Sequence, residues 1–371
     1  MSRPRNLNRR LPTEGRWSCL ADIVCTALIL TVGGCGMTQG PASRSEKEHS
    51  SLFPVMQGGK GGFIDSTGKL VIRPQFDDGR PFAEGLALIR VGGEPGGGEG
   101  HLKGGKWGYI DGTGRFAVKP SFDGAWDFSE GLALVNIGGK PGESGVLTRG
   151  GKWGYIDRTG KIVIKPQFYG ARDFSEGLAV VNVGGKTDGF SEFPAGGKYG
   201  YIDRTGKLLI PPQFDAAEDF SEGLARVNVG GENDGLYTKG GVWGYIDTTG
   251  KFVIQPQFDE GKASDFSGGL AAVHVGDWET GEKGYIGKNG GFFIKPQFRN
   301  ASRFSGGLAA VLVGDLKTGG KFGYIDTTGK FVIQPLFHGA DDFSGGLARV
   351  WFGEKFGYID RAGKIVYGPT K

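Results

Sequence analysis

Cysteine is almost missing from this chain. Only Cys19, Cys25 and Cys35 occur among 371 residues, and everything after Cys35 has none. That excludes internal disulfides and thiolate metal sites, so the body must be held by packing and hydrogen bonds. Histidine is scarce as well. His49, His101, His274 and His338 show no pair at a metal-ligand step such as H-x3-H, and each reads as surface or incidental. No metal and no cofactor is expected. No apolar run approaches the roughly 20 residues that a membrane-spanning helix needs. The formal charge is only +4, and without residues 1–34 it falls to about +1, because five arginines there face only Glu14 and Asp22. A near-neutral body offers no electrostatic case for nucleic acid. Neither a G-x-x-x-x-G-K-[ST] loop, a Rossmann context nor a G-x-S-x-G elbow is present.

Glycine is abundant instead, 73 residues, about three times ordinary usage. Most of it recurs at fixed offsets within one repeated sentence: Gly-Tyr-Ile-Asp, a Thr-Gly-Lys turn, an apolar run ending Pro-Gln-Phe, then Phe-Ser-Glu-Gly-Leu-Ala. The first word, or a close variant, starts at Gly62, Gly108, Gly154, Gly200, Gly244, Gly284, Gly323 and Gly357. Such periodicity is the mark of a repeat architecture, in which each unit is too short to bury its own apolar face.

Within the unit at Gly154, residues 152–157 alternate as a strand, with Trp153 and Tyr155 on one face. Asp157 and Gly160 supply an Asx-turn and the left-handed residue of a three-residue hairpin. Ile162 to Phe168 alternates again, and Pro166 belongs at a sheet edge. A third strand starts at Leu178. Asn182, and Arg226 and Asn228 in the next unit, fall on its outward side, which predicts a half-buried antiparallel sheet with one solvated face. Phasing from the third strand gives eight complete units. The step from the Pro-Gln-Phe phenylalanine to the next Leu-Ala leucine is nearly constant in length, as a packed segment would be. The connection after the third strand varies, long around 92–105, 138–151, 184–197 and 230–241, as surface loops do. That variable edge is the first candidate for a binding surface.

These words resemble the WG (KWG) repeat of bacterial proteins, literal here at Trp107-Gly108, Trp153-Gly154 and Trp243-Gly244. The resemblance covers 52–371 and implies an exported or envelope repeat protein; it attaches no common activity or catalytic residue. The expected fold is all-β: eight tandem three-stranded antiparallel repeats stacked as a curved open solenoid, with a closed β-propeller-like ring as the alternative. Four-stranded blades are usual in propellers.

The first 34 residues read as a signal peptide: an arginine-rich start, an apolar stretch from Ile23 to Val32, then small residues. Val32-Gly33-Gly34-Cys35 resembles the lipobox of bacterial lipoproteins, which implies lipidation at Cys35 and a place in the cell envelope, at the outer membrane or cell surface. Residues 35–51 are polar and small, as a flexible tether would be.

Recurrent Asp65, Asp111 and Asp157 stand before glycine turns without a second carboxylate at a calcium-loop step, and turn capping explains them better than ion binding. Glu84, Glu130, Glu176 and Glu222 recur where later units have Gly268, Gly306 and Gly345; the readings are duplication history or an acidic row. The Trp/Tyr stripe reads as packing between units. Loop aromatics Phe190, Phe193, Tyr237 and Trp278 are the candidate ligand contacts. The function expected is a membrane-anchored scaffold that binds a protein or carbohydrate partner and performs no catalysis. The alternatives are an envelope-polymer hydrolase and a purely structural envelope protein.

Overall fold

The computed structural model describes residues 52–95, 102–141, 148–186, 194–235 and 238–369. The expected leader, Cys35 and the tether lie outside them. His49–Lys371 forms a compact unit of its own.

Eight antiparallel sheets follow one another along the chain, in the frame expected from the third strand. The third sheet shows the pattern: Gly124–Ser129, Leu132–Pro141, Thr148–Asp157 and Ile162–Phe168, hydrogen-bonded in that order. The last three are the expected strands and occur in every sheet. The first is an addition: six of the eight sheets gain a fourth strand from the constant-length connection. It is as short as Gly170–Ala171 or Ala216–Ala217. In sheet six a single bridge, Ala263 to Val273, marks its place.

The Pro-Gln-Phe strand is an edge, as its proline requires. It pairs with a bulge: Tyr155 faces Ile164 and Ile156 faces Ile162, which leaves Val163 without a partner. The preceding turn is held by Asp157, whose Oδ1 accepts from the Thr159 N–H at 2.9 Å, the Thr159 hydroxyl at 2.6 Å and the Lys161 N–H at 3.1 Å. The Thr159 hydroxyl, with those N–H groups behind it, keeps the carboxyl below its usual range. Gly160 closes the turn at φ +84°, and a Cβ there would meet Val118 of the preceding sheet at 2.9 Å. The turn of each sheet is thus seated on the edge strand of the one before it.

The sheets stack face to face. Seven apolar clusters fill the seven spaces between consecutive sheets. Between sheets four and five, for example, Leu178, Val180, Tyr201 and Ile210 meet Phe220, Ala225, Val227 and Ile246. Among the described residues no cluster joins sheet eight to sheet one, so the stack is open rather than a ring. The solvated face expected on each sheet is not there in the inner sheets, although Arg349 of sheet eight is exposed. Asn228 is 0% exposed, and Arg226 reaches across to Asp265 of sheet six at 2.6 Å. Both faces of the middle strands are buried in sheets two to seven because each of these has a neighbour on either side.

One polar bond repeats at six of the seven interfaces, Phe63 standing in the tyrosine's place at the first. The Tyr155 hydroxyl donates to the Arg172 carbonyl at 2.6 Å, and Tyr109, Tyr201, Tyr245, Tyr285 and Tyr324 do the same one sheet on. Burial raises these phenols well above their ordinary range. Each tyrosine ring also packs against the next sheet's Phe-Ser phenylalanine, edge-on in five of the six pairs, as with Tyr155 to Phe174 at 4.8 Å, and tilted for Tyr285 on Phe304. The serine that follows donates one sheet further, Ser175 Oγ to the Phe220 carbonyl at 2.8 Å.

The recurrent glutamates belong to this set. Glu84, Glu130, Glu176 and Glu222 are non-glycine residues with positive φ, 50° to 56°. Their carboxylates bind the backbone of the next sheet: Glu176 accepts from the Glu222 N–H at 2.6 Å and the Gly223 N–H at 2.7 Å. The left-handed backbone costs about 1–2 kcal/mol, and charge-assisted bonds to two N–H groups offset it. Glu176→Ala keeps the strain and loses both bonds, so it should lower stability by about 1–2 kcal/mol. Glu176→Gly, the residue of the later units, should lower it less. Urea denaturation of the two variants checks the order.

Candidate functional site: the hairpin edge

The Leu-Ala strand and the Tyr-Ile-Asp strand are joined by the hairpins of variable length. In sheets two, three and five they run on as ten-residue strands or nearly so, Leu86–Pro95 with Leu102–Ile110, Leu132–Pro141 with Thr148–Asp157, and Leu224–Asn233 with Thr238–Asp247. In sheet four the strands are shorter, with an isolated bridge at Lys186 and Ala195 beyond them. The hairpins of sheets six to eight are short; in sheet eight Val350–Phe352 pairs directly with Lys355–Gly357.

The bases of the long hairpins in sheets three to five are braced from within by an asparagine. Asn182 is fully buried; its Nδ2 donates to the Gly196 carbonyl and its Oδ1 accepts from the Gly185 N–H, both at 3.1 Å. Asn228 repeats this with Gly240 and Gly231. A second brace comes from the aspartate after Pro-Gln-Phe. Asp77 accepts from the Lys60 ammonium at 2.5 Å and from the Gly93 N–H at 2.6 Å. Burial opposes its ionisation, yet Lys60 and the Gly93 N–H hold it below the usual carboxylate range. Asp123 with Lys106 and Gly138, and Asp215 with Lys198 and Gly230, repeat the brace. Lys60, Lys106 and Lys198 thus tie their sheets to the hairpin of the next.

Neighbouring hairpins also touch. The Gly196 N–H donates to the Asn233 carbonyl at 2.9 Å, and the Asn233 amide donates to the Tyr199 hydroxyl at 2.8 Å. Within a sheet, arginines lie over tryptophans of the adjacent strand, Arg90 on Trp107 at 5.3 Å and Arg226 on Trp243 at 5.4 Å.

Of the four candidate aromatics, Trp278 is described. It is 58% exposed in the sheet-six hairpin and stacks on His274 at 4.9 Å with 28° between the rings. His274 is 6% exposed, and its Nε2 lies 2.7 Å from the Asp277 carbonyl. It takes the place that asparagine holds in sheets three to five, so it is a buried brace and not the surface histidine expected. Asp277 caps the same loop through the Glu279 and Thr280 N–H groups. Trp278 is therefore presented on a fixed loop. Phe190, Phe193 and Tyr237, like Cys35, lie outside the described residues. Among the described residues, no group of three or more His, Cys, Asp or Glu comes together as a metal site, and no helix is long and apolar enough to cross a membrane.

The family model described as WG containing repeat matches residues 62–94, 107–140, 153–186, 199–232, 243–277, 284–316 and 322–355. The chain belongs to the WG-repeat family. Each matched WG repeat takes the last two strands of one sheet and the start of the next, which is why seven matches accompany eight sheets. No curated protein matches this WG-repeat chain. Among solved structures it is similar to a prolyl endopeptidase, at 12% identity over 84% of this chain and 54% of that one, with a TM-score of 0.41. It thus spans about half of that protein's length. It is also similar to the β-propeller domain of the Trilobed protease from Pyrococcus furiosus, described as having an open velcro topology, at 10% identity over 76% and 93%, with a TM-score of 0.37. A protein of unknown function from Bacteroides caccae follows at 16% identity over 63% and 92%, with a TM-score of 0.25.

One set of WG-repeat residues escaped the sequence reading. Asp127, Asp173 and Asp219 precede the Phe-Ser word in three consecutive sheets, and the Oδ1 of each is buried without a hydrogen-bond partner. Burial, with Asp219 and Asp127 on either side, pushes the Asp173 carboxyl up to about 7. Asp127 and Asp219 are raised as well, by burial first. The recurrence of Asp-Phe-Ser was the available signal.

Proposed function

We propose that this WG-repeat protein is a non-catalytic binding platform, tethered to the bacterial envelope through Cys35, that takes a protein or glycan partner along its hairpin edge. The observation that carries this reading is the internal bracing of four consecutive long hairpins, in sheets two to five, beside the exposed Trp278. Buried asparagines and Asp–Lys pairs fix the hairpin bases, while the tips differ in length and sequence from sheet to sheet. A rigid frame with variable tips is how repeat proteins build extended recognition surfaces.

The test is to shorten the four hairpins to the length found in sheet eight and replace Trp278 by Ala. Capture of the partner from native envelope should be lost while the β-type circular dichroism is kept. Undiminished capture would place the partner elsewhere. For the tether, Cys35→Ala should release the protein from membranes, and continued membrane association would refute acylation there.

Envelope-polymer hydrolysis is the second reading, favoured by one observation: a carboxyl with a raised pKa, Asp173, between two acids from other repeats. Polymer breakdown that disappears in Asp173→Asn would establish it.

A further inference from the structure

The edge opposite in character to the hairpins is formed by the eight Pro-Gln-Phe strands and the turns that precede them. Each strand has a bulge residue that pairs with nothing, and in all eight sheets that residue is apolar. Val71, Val163, Leu209, Val253, Phe293 and Val332 are among them, 41% to 63% exposed. The residue just before the bulge is apolar too, as with Leu70, Ile162 and Phe292. The contact between each turn glycine and the preceding edge strand, Gly160 on Val118 or Gly206 on Ile164, brings these pairs into one row along the stack.

Charge is segregated to the same edge. The eight twelve-residue segments that run from the turn aspartate, or Gly287 in sheet six, through the edge strand (65–76, 111–122, 157–168, 203–214, 247–258, 287–298, 326–337, 360–371) hold sixteen Lys and Arg against seven Asp; of the sixteen, Lys371 lies outside the described residues and Arg158, Arg204 and Lys288 donate to carbonyls of the preceding sheet. The rest of 52–371 holds 21 basic and 29 acidic residues. The seven aspartates accept hydrogen bonds from their own turns, as Asp65, Asp157 and Asp203 do, while the lysines that follow the turn glycine flank the apolar row. The near-neutral total therefore hides a basic edge and an acidic remainder.

Edge lysines by themselves would be an ordinary guard against strand-to-strand association. An exposed apolar row works against that purpose, and it recurs in every repeat of this chain. Apolar side chains bordered by cations suit one kind of partner: a bilayer surface with anionic headgroups, where the side chains enter the acyl boundary and the cations meet phosphate. We infer that the Pro-Gln-Phe edge lies on an anionic lipid surface and so leaves the hairpin edge free to meet its partner. This does not rest on acylation of Cys35, and it is tested without that residue.

The experiment uses residues 49–371, which form a compact unit holding all seven clusters. They are sedimented with vesicles of phosphatidylcholine alone and of phosphatidylcholine with phosphatidylglycerol in equal parts, at 100 mM salt. Binding should be at least about tenfold stronger on the anionic vesicles, given the headgroup attraction expected for several lysines. One variant replaces Val163, Leu209 and Val253 by Ser, another replaces Lys161, Lys207 and Lys251 by Gln; circular dichroism checks that both fold. Each should weaken vesicle binding about tenfold or more. Equal binding to both vesicle types overturns the inference. So does a Ser variant that binds as well as the parent, which would mark an acidic-polymer surface indifferent to the apolar row. Sedimentation without vesicles overturns it in favour of edge-to-edge self-association.

Discussion

Gly200→Ala is expected to lower the stability of the repeat body by about 3 kcal/mol or more, a large effect for one methyl group. Gly200 is the glycine of the Trp-Gly word in sheet four, with Tyr199 in the tryptophan position. A Cβ there would stand 2.5 Å from the Ile210 carbonyl oxygen, 2.8 Å from the Pro212 nitrogen and 2.9 Å from the Pro211 carbonyl carbon. All three are backbone atoms of the bulged edge strand, so no side chain can swing aside. Moving the strand would break the pairing of Tyr199 with Phe214 and of Tyr201 with Ile210. The same closeness recurs at Gly108, Gly154, Gly244, Gly284 and Gly323. The glycine of the family name is thus a matter of space: the bulge brings the edge strand against the backbone of its neighbour. Gly196→Ala is the control. Gly196 has φ +66° and nothing within 4 Å of a built Cβ, so only the left-handed backbone penalty of about 1 kcal/mol applies. Urea denaturation of the two variants decides the matter; equal losses would remove the steric account.

The second large effect depends on pH. Asp173 has its carboxyl raised to about 7 in the folded protein, above the value of about 3.9 for a free aspartate. The folded state therefore holds its proton more tightly than the unfolded state. The stability this provides is complete below about pH 4 and is lost as the pH rises through about 7. Asp173→Asn removes the ionisation. It should leave stability near pH 4 little changed and raise it at pH 8 by about 1–3 kcal/mol, at about 1.4 kcal/mol per pH unit with allowance for partial solvation. Thermal melts of both proteins at pH 4, 6 and 8 show the result as a gap that widens with pH. A constant gap would mean that the aspartate acts by shape and not by charge.

Most of the architecture was legible because the repeat carries it in short-range signals. Asp157-Arg158-Thr159-Gly160 spells its turn chemically, and the structure forms that turn with the Asx bonds expected of it. Pro166 marked an edge, and an edge is where it lies. The tryptophan stripe was read as packing between units, and Trp107, Trp153 and Trp243 are buried there.

The short fourth strand was not legible. Its ladder rests on pairs such as Gly170-Ala171 and Asn300-Ala301, which have no strand propensity and are ordered only by the neighbouring Leu-Ala strand. The burial of both sheet faces was missed for a different reason. Leu-Ala-Val-Val-Asn-Val is nearly continuous apolar sequence, as two-sided burial requires. The polar residues at Arg226 and Asn228 suggested a wet face, but both find partners between sheets: Asp265 across the interface for one, the hairpin backbone for the other. The glutamate bonds were hidden for a third reason. Reading Glu176 as a link between repeats requires its positive φ and the position of the Gly223 N–H 47 residues away, and neither is a local property of the sequence. Of the candidate site, the edge was legible from loop-length variation, while the braces of Asn182 and Asp77 needed the structure.

In an open stack each sheet packs only on its neighbours. Hydrogen–deuterium exchange on a chain truncated after Phe337, which removes sheet eight, tests that most directly. The open stack predicts faster exchange in sheet seven, whose apolar face loses its cover, and unchanged protection in sheets one to five. Loss of protection in sheet one would show that sheet eight had been packed against it, and the stack would be a closed ring.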